Sequence, residues 1–195
     1  MTNTYFENIP SCQIELLQKI IGQRVENLIR YSWWSAEEST AQADIDEHEV
    51  FSLTAGPLLL YFDSGLVIGA ASNPSLNSVT VWIEEDQNEV VQSGKPIESD
   101  AQLFPIEARD RKYSHLLWRK LIGQKVCDFT ILKQKPINVL YEDLPNEVGI
   151  IITFEQGLAF VLSHGLHDDS DDFSVIQKSH ISEQVLNTII EIQSC

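Results

Sequence analysis

Two distant stretches of the chain carry the same order of apolar and polar positions. Leu58-Leu59-Leu60-Tyr61-Phe62 runs into Asp63-Ser64-Gly65-Leu66 and a second apolar run, Val67-Ile68-Gly69-Ala70. Ile150-Ile151-Ile152-Thr153-Phe154 runs into Glu155-Gln156-Gly157-Leu158 and then Ala159-Phe160-Val161-Leu162. Each predicts a β-hairpin. A three-residue loop ending on Gly suits the positive φ that its last residue must take.

Other elements follow from the same patterning. Ile14, Leu17, Ile20 and Ile21 stand at near-helical spacing between Ser11, an expected N-cap, and Gly22, an expected stop. Residues 24–34 read as a strand, with Val25, Leu28, Ile29, Tyr31, Trp33 and Trp34 supplying its apolar positions. The alternation slips near Leu28 and Ile29, where a bulge is expected. Residues 35–49 are acidic and poor in large side chains, which predicts an exposed excursion. Val50, Phe51 and Leu53 resume a strand pattern, and Val79, Val81 and Ile83 alternate cleanly with Thr80 and Trp82. Residues 87–108 are mostly polar and read as a connection.

A second helix is expected over Leu116, Leu117, Trp118, Leu121 and Ile122, ending at Gly123. Strands follow at 126–132 and, as a short element, at 137–141. After the second hairpin, residues 173–176 form a strand. Ile181, Val185, Leu186, Ile189 and Ile190 then predict a C-terminal helix capped by Ser179 or Ser182.

The second half therefore replays the first. Lys19-Ile20-Ile21-Gly22-Gln23-Arg24-Val25 aligns with Lys120-Leu121-Ile122-Gly123-Gln124-Lys125-Val126. The offset is 101 residues at Gly22 and Gly123 but 92 at Gly65 and Gly157, so nine extra residues lie between the first strand and the first hairpin. That is where the acidic excursion sits. The expected fold is α+β: a tandem duplication of a helix followed by an antiparallel four- to five-stranded meander, with approximate two-fold symmetry and a C-terminal helix. The expected boundaries are 8–86 for the first repeat, with insertion 35–49, 87–108 for the connection, 109–178 for the second repeat and 179–195 for the last helix. Two unrelated meanders sharing turn chemistry are the alternative.

Charge narrows the function classes. The 195 residues carry 29 acids against 13 bases, a formal charge of -16. Such a surface repels nucleic-acid phosphate and anionic membrane and attracts basic partners. Cys12, Cys127 and Cys195 are odd in number and widely spaced, which suits a reducing compartment; Cys127, in a predicted strand, reads as a small core residue. The first residues lack the pattern of a signal peptide, and no apolar run approaches bilayer length, so a cytoplasmic protein is expected.

Specific chemistry finds little support. His164-Gly165-Leu166-His167-Asp168-Asp169-Ser170-Asp171-Asp172 has metal-ligand types, but the matching first-half loop, 72–77, has none. The stretch also lacks the Gly and closing Glu of an EF-hand, so it reads as a solvated acidic loop. There is no GxSxG, HExxH, GxGxxG or P-loop. Asp63 and Glu155 occupy equivalent turn positions, where an acid bonds local backbone N–H groups. No catalytic, cofactor-binding or metal-ligating residue is expected. Trp33 and Trp34 adjoin the acidic excursion. In a strand they would face opposite sides, so one is expected to be exposed as a binding anchor, or else one fills the core and the other covers an edge.

Helix, Ile-Gly-Gln, strand and then the apolar-Phe-acid-x-Gly-Leu hairpin resemble small bacterial proteins that include immunity proteins of polymorphic and contact-dependent toxin systems. The resemblance implies a cytoplasmic acidic protein that binds and blocks a basic toxin. The residues expected at such an interface are Trp33, Trp34, Glu37, Glu38, Asp44, Asp46, Glu47, Glu49, Asp168, Asp169, Asp171 and Asp172. A metal- or small-molecule-dependent enzyme using the cleft between repeats, and a structural subunit of an assembly, are the competing expectations.

Overall fold

In a computed structural model, residues 7–87, 89, 90, 96–167 and 172–193 are described. The first half comprises α1 (Ile14–Ile20), β1 (Val25–Ser32), α2 (Ala36–Gln42), α3 (Val50–Leu53), β2 (Leu58–Phe62), β3 (Val67–Asn73), β4 (Ser78–Asp86), β5 (Glu89–Val90) and β6 (Phe104–Glu107). The second comprises α4 (Leu116–Leu121), β7 (Val126–Gln134), β8 (Gly149–Phe154), β9 (Ala159–His164), β10 (Phe173–Ile176), α5 (Glu183–Leu186) and β11 (Ile189–Gln193). The fold is α+β, with few helices and two antiparallel sheets. Their strand orders are β5-β4-β3-β2-β1-β6 and β10-β9-β8-β7-β11. In each half the meander's first strand is flanked by the last strand of that half.

Both expected hairpins form, β2–β3 and β8–β9. Phe62 N–H donates to Leu66 O at 3.0 Å and Phe154 N–H to Leu158 O at 2.8 Å. Alternation along the strands sorts their side chains into layers. Leu58, Leu60, Phe62, Ile150, Ile152 and Phe154 enter one core that both halves share. Leu59 joins a small outer cluster on the first sheet and Ile151 one on the second. The shared core centres on Trp118. Its ring lies 5.3 Å from Phe51 and 5.6 Å edge-on from Phe160, and its indole N–H donates to Ser52 Oγ at 3.0 Å.

The two helix-to-strand junctions grip each other reciprocally. Gly22 N–H donates to Val126 O at 2.8 Å, and Gly123 N–H to Val25 O at 2.7 Å. Val25 N–H donates to Gln124 O at 3.0 Å, and Val126 N–H to Gln23 O at 2.9 Å. Each of these bonds has its counterpart in the other half. Gly22 and Gly123 stand at φ 86° and 84°, a left-handed turn that lets the chain leave the helix and meet its counterpart at once. The strands carry matching irregularities as well, between Val25 and Asn27 and between Val126 and Asp128. The bulge thus sits at the start of the strand, ahead of the Leu28–Ile29 slip where it was expected.

Several local expectations are corrected. Ser11 caps nothing with its side chain. Pro10–Gln13 form a 3-10 turn, and Ser11 N–H donates to the buried Glu147 carboxylate at 2.8 Å. Val50, Phe51 and Leu53 form helix α3, because the segment must return over the core rather than extend along a sheet. The connection supplies β6, which pairs with β1. The stretch expected as a strand at 137–141 is a 3-10 turn at Val139–Tyr141. The C-terminal helix is short, capped by Ser182 through Val185 N–H. Ile189 and Ile190 belong instead to β11, where pairing with β7 satisfies their backbone along an otherwise open edge. Cys127 is exposed, since the adjoining bulge turns it outward. Asp63 bonds Arg24 N–H at 3.2 Å rather than its own turn, and Glu155 lies 3.7 Å from the Arg24 guanidinium. Among the described residues no helix is long and apolar enough to cross a membrane.

Alanine at Gly22 or Gly123 would meet no atom closer than 3.7 Å. The cost is then backbone strain alone, about 1 kcal/mol for each variant. Urea denaturation should show two nearly equal losses. Markedly unequal ones would contradict the equivalence of the junctions.

Candidate functional site

The acidic excursion is folded rather than loose. Ser35 caps α2 by accepting from Glu38 N–H at 3.2 Å, while the Glu38 carboxylate accepts from Ser35 N–H at 3.0 Å. Ser39 of α2 and Ser32 of β1 both hydrogen-bond the Thr54 hydroxyl, the first at 3.3 Å. This buried hydroxyl chain ties the end of β1, helix α2 and the exit of α3 together. Trp34 N–H donates to Ser32 Oγ at 3.1 Å. Trp33 and Trp34 therefore leave the sheet just past β1, and both are exposed, at 53% and 45%. Neither fills the core, contrary to the alternation expected of them, because β1 ends at Ser32.

Beneath the excursion lies Arg30, fully buried on β1. Its Nη2 donates to Thr54 O and, at 3.0 Å, to Phe173 O, and its guanidinium lies 4.8 Å from the Phe173 ring centre. Burial pulls its pKa down to about 9, against an opposing pull from Asp172. Nε and Nη1 have no hydrogen-bond partner among the described residues. Arg30 thus clamps the end of α3 to the start of β10, joining the two halves beside the excursion.

Three adjoining hollows open around this clamp. The largest, about 610 Å³, is lined by Asp44, Asp46, Glu49, His167 and Asp172, with Ile45 and Leu53 as apolar floor. A second, about 200 Å³, runs from Trp34 past Ile45 and Thr54. The third, about 250 Å³, lies between Trp33, Pro57, Pro74 and Phe173. Asp172 borders all three. The result is a groove with carboxylates at one end, two exposed indoles at the other and little basic charge between.

Of the residues singled out from sequence, Trp33, Trp34, Asp44, Asp46, Glu49 and Asp172 meet around this groove. Glu37, Glu38 and Glu47 are engaged elsewhere. The Glu37 carboxylate accepts from Tyr113 Oη at 2.9 Å, and its pKa falls through its own backbone N–H and then that hydroxyl. Glu38 completes the cap, and its pKa falls through the Ser35 N–H and hydroxyl. Glu47 pairs with Lys112 at 3.3 Å. Asp168, Asp169 and Asp171 lie outside the described residues. Arg30 and Thr54 were missed. Arg30 had left a trace: at the 101-residue offset its counterpart is Ile131, so a charge occupies an inward strand position.

Among the described residues no group of three or more His, Cys, Asp or Glu is placed to hold a metal ion. Comparison with models of known families, with curated proteins and with solved structures returned no match.

Removing the clamp strands the carbonyls of Thr54 and Phe173. Arg30→Ala should cost about 3 kcal/mol in urea denaturation, and Arg30→Met, which keeps the packing volume, distinctly less. Equal losses would show that the hydrogen bonds, not the packing, dominate.

Proposed function

We propose that this chain is a non-enzymatic, cytoplasmic binding protein that takes a basic protein partner in the groove beside Arg30. It would act as immunity proteins of polymorphic toxin systems act, by covering the partner's working surface. The observation that carries the reading is the convergence, from three separate chain segments, of two exposed tryptophans with Asp44, Asp46, Glu49 and Asp172. Exposed indoles make efficient anchors, since they bury large apolar area at small entropic cost. The carboxylates around them would speed encounter with a basic surface and fix its orientation. The -16 formal charge adds long-range attraction of the same sign.

The same reading includes the origin of the site. We infer that the two halves descend from one duplicated helix-and-meander unit, and that the groove grew where the first copy carries nine extra residues. The mirrored junction bonds and the common strand order support this.

The test is affinity capture from the native lysate at low salt, followed by binding measurements with the captured partner. A basic protein should be retained. Asp44→Asn with Asp46→Asn should slow association about tenfold and flatten its salt dependence, whereas Trp33→Ala with Trp34→Ala should mainly hasten dissociation. A partner whose binding ignores both pairs, or retention of acidic proteins only, would overturn the proposal.

A further inference from the structure

We propose that the outer edge of β11 is a self-association surface, on which a second copy of this chain adds its own β11 antiparallel across a two-fold axis. β11 ends its sheet, with β7 on one side only, so its outward N–H and C=O groups are set to pair with another strand. Ile190 and Ile192 stand exposed on this strand at 47% and 41%. Lys135 N–H donates to Thr188 O at 2.9 Å, tying the base of the next segment to the start of β11. That segment exposes Ile137, Val139 and Leu140. Two large apolar side chains thus stand exposed on the edge strand itself, and three more on the segment tied to its start.

The first half offers the matching edge strand for comparison. β6 sets Ile106 opposite Arg30 and Phe104 opposite Ser32, as β11 sets Ile192 opposite Ile131 and Ile190 opposite Lys133. Ile106 is buried, whereas Ile192 is exposed. Ser35, Ala36 and Tyr113 border the β6 site, and Pro105 removes a donor from that edge. The segment leading into α2 thus flanks Ile106, while Phe104, the counterpart of Ile190, stays exposed at 43%.

Charge selects the occupant. Residues 1–108 carry 4 bases against 17 acids, and residues 109–195 carry 9 against 12. Two copies meeting through β11 bring their nearly balanced halves together and hold the strongly acidic halves apart. With the axis at Glu191, Ile190 of each copy lies beside Ile192 of the other, and each Glu191 is already held by Lys178 at 2.6 Å. The contact is isologous, so it closes as a dimer.

Sedimentation equilibrium of the full chain tests this over roughly 1 to 100 µM, where mass action should reveal a weak dimer. The mass should climb from 22.1 kDa towards twice that value. Ile190→Lys with Ile192→Lys should hold it at the lower value with an unchanged urea midpoint. Hydrogen exchange on the unaltered chain gives an independent reading, with β11 amides slowing as concentration rises. A wild-type mass that stays at 22.1 kDa, a double variant that still dimerises, or β11 exchange independent of concentration would each overturn the proposal. None of these outcomes bears on the groove.

Discussion

Four backbone hydrogen bonds, exchanged pairwise between the Gly22–Val25 and Gly123–Val126 turns, set the relation of the two halves. They act where each chain segment passes from helix to strand. The direction of β1 is thereby fixed against that of β7, and every later strand is laid down by antiparallel pairing from those two. The inner faces then confront each other, and Leu28, Phe62, Phe129 and Phe154 close into one core. Neither half could bury its inward face alone, since the other sheet supplies the opposing wall. The Val25 and Val126 amides are buried there, so for these two the exchange answers satisfaction as well as geometry.

The groove lies where the two halves differ. The nine extra residues fold into α2 and the approach to α3, with Ala36 and Ile45 packed against the shared core. Polar ties hold them as well: the Ser35–Glu38 cap, the Ser32–Thr54–Ser39 hydroxyls and Arg30. Where the second half places Ile131, the first places a guanidinium that reaches both Thr54 and Phe173. A buried charge is a poor source of stability but a strong director of geometry. It brings the excursion against β10, and the hollows around Asp172 lie along that seam.

Much of this was legible in the chain. The hairpins, both helix ends and the Gly-Gln junction carry local signals, namely turn glycines and apolar runs, that tertiary packing had no reason to override. The errors fall where packing decided. Val50 and Phe51 alternate like a strand, yet burial against Trp118 and Tyr113 makes α3 helical. Ile189 and Ile190 fit a helical period, but an open edge on β7 recruits them as a strand. Ile137, Val139 and Leu140 read as a strand by hydrophobicity and stand exposed in a turn segment. At the groove, six of the marked residues converge because their segments were already suspected. Arg30 escaped notice because a single charge within a strand pattern looks like an outward-facing position.

The reciprocal turns make the two halves one cooperative body. Residue-resolved native-state hydrogen exchange tests this most directly. The Gly22, Val25, Gly123 and Val126 amides should exchange only through global unfolding, with the same protection and denaturant dependence as the buried strands β2 and β8. Exchange of these four amides by a separate, lower-energy opening, or distinct unfolding free energies for β2 and β8, would contradict it.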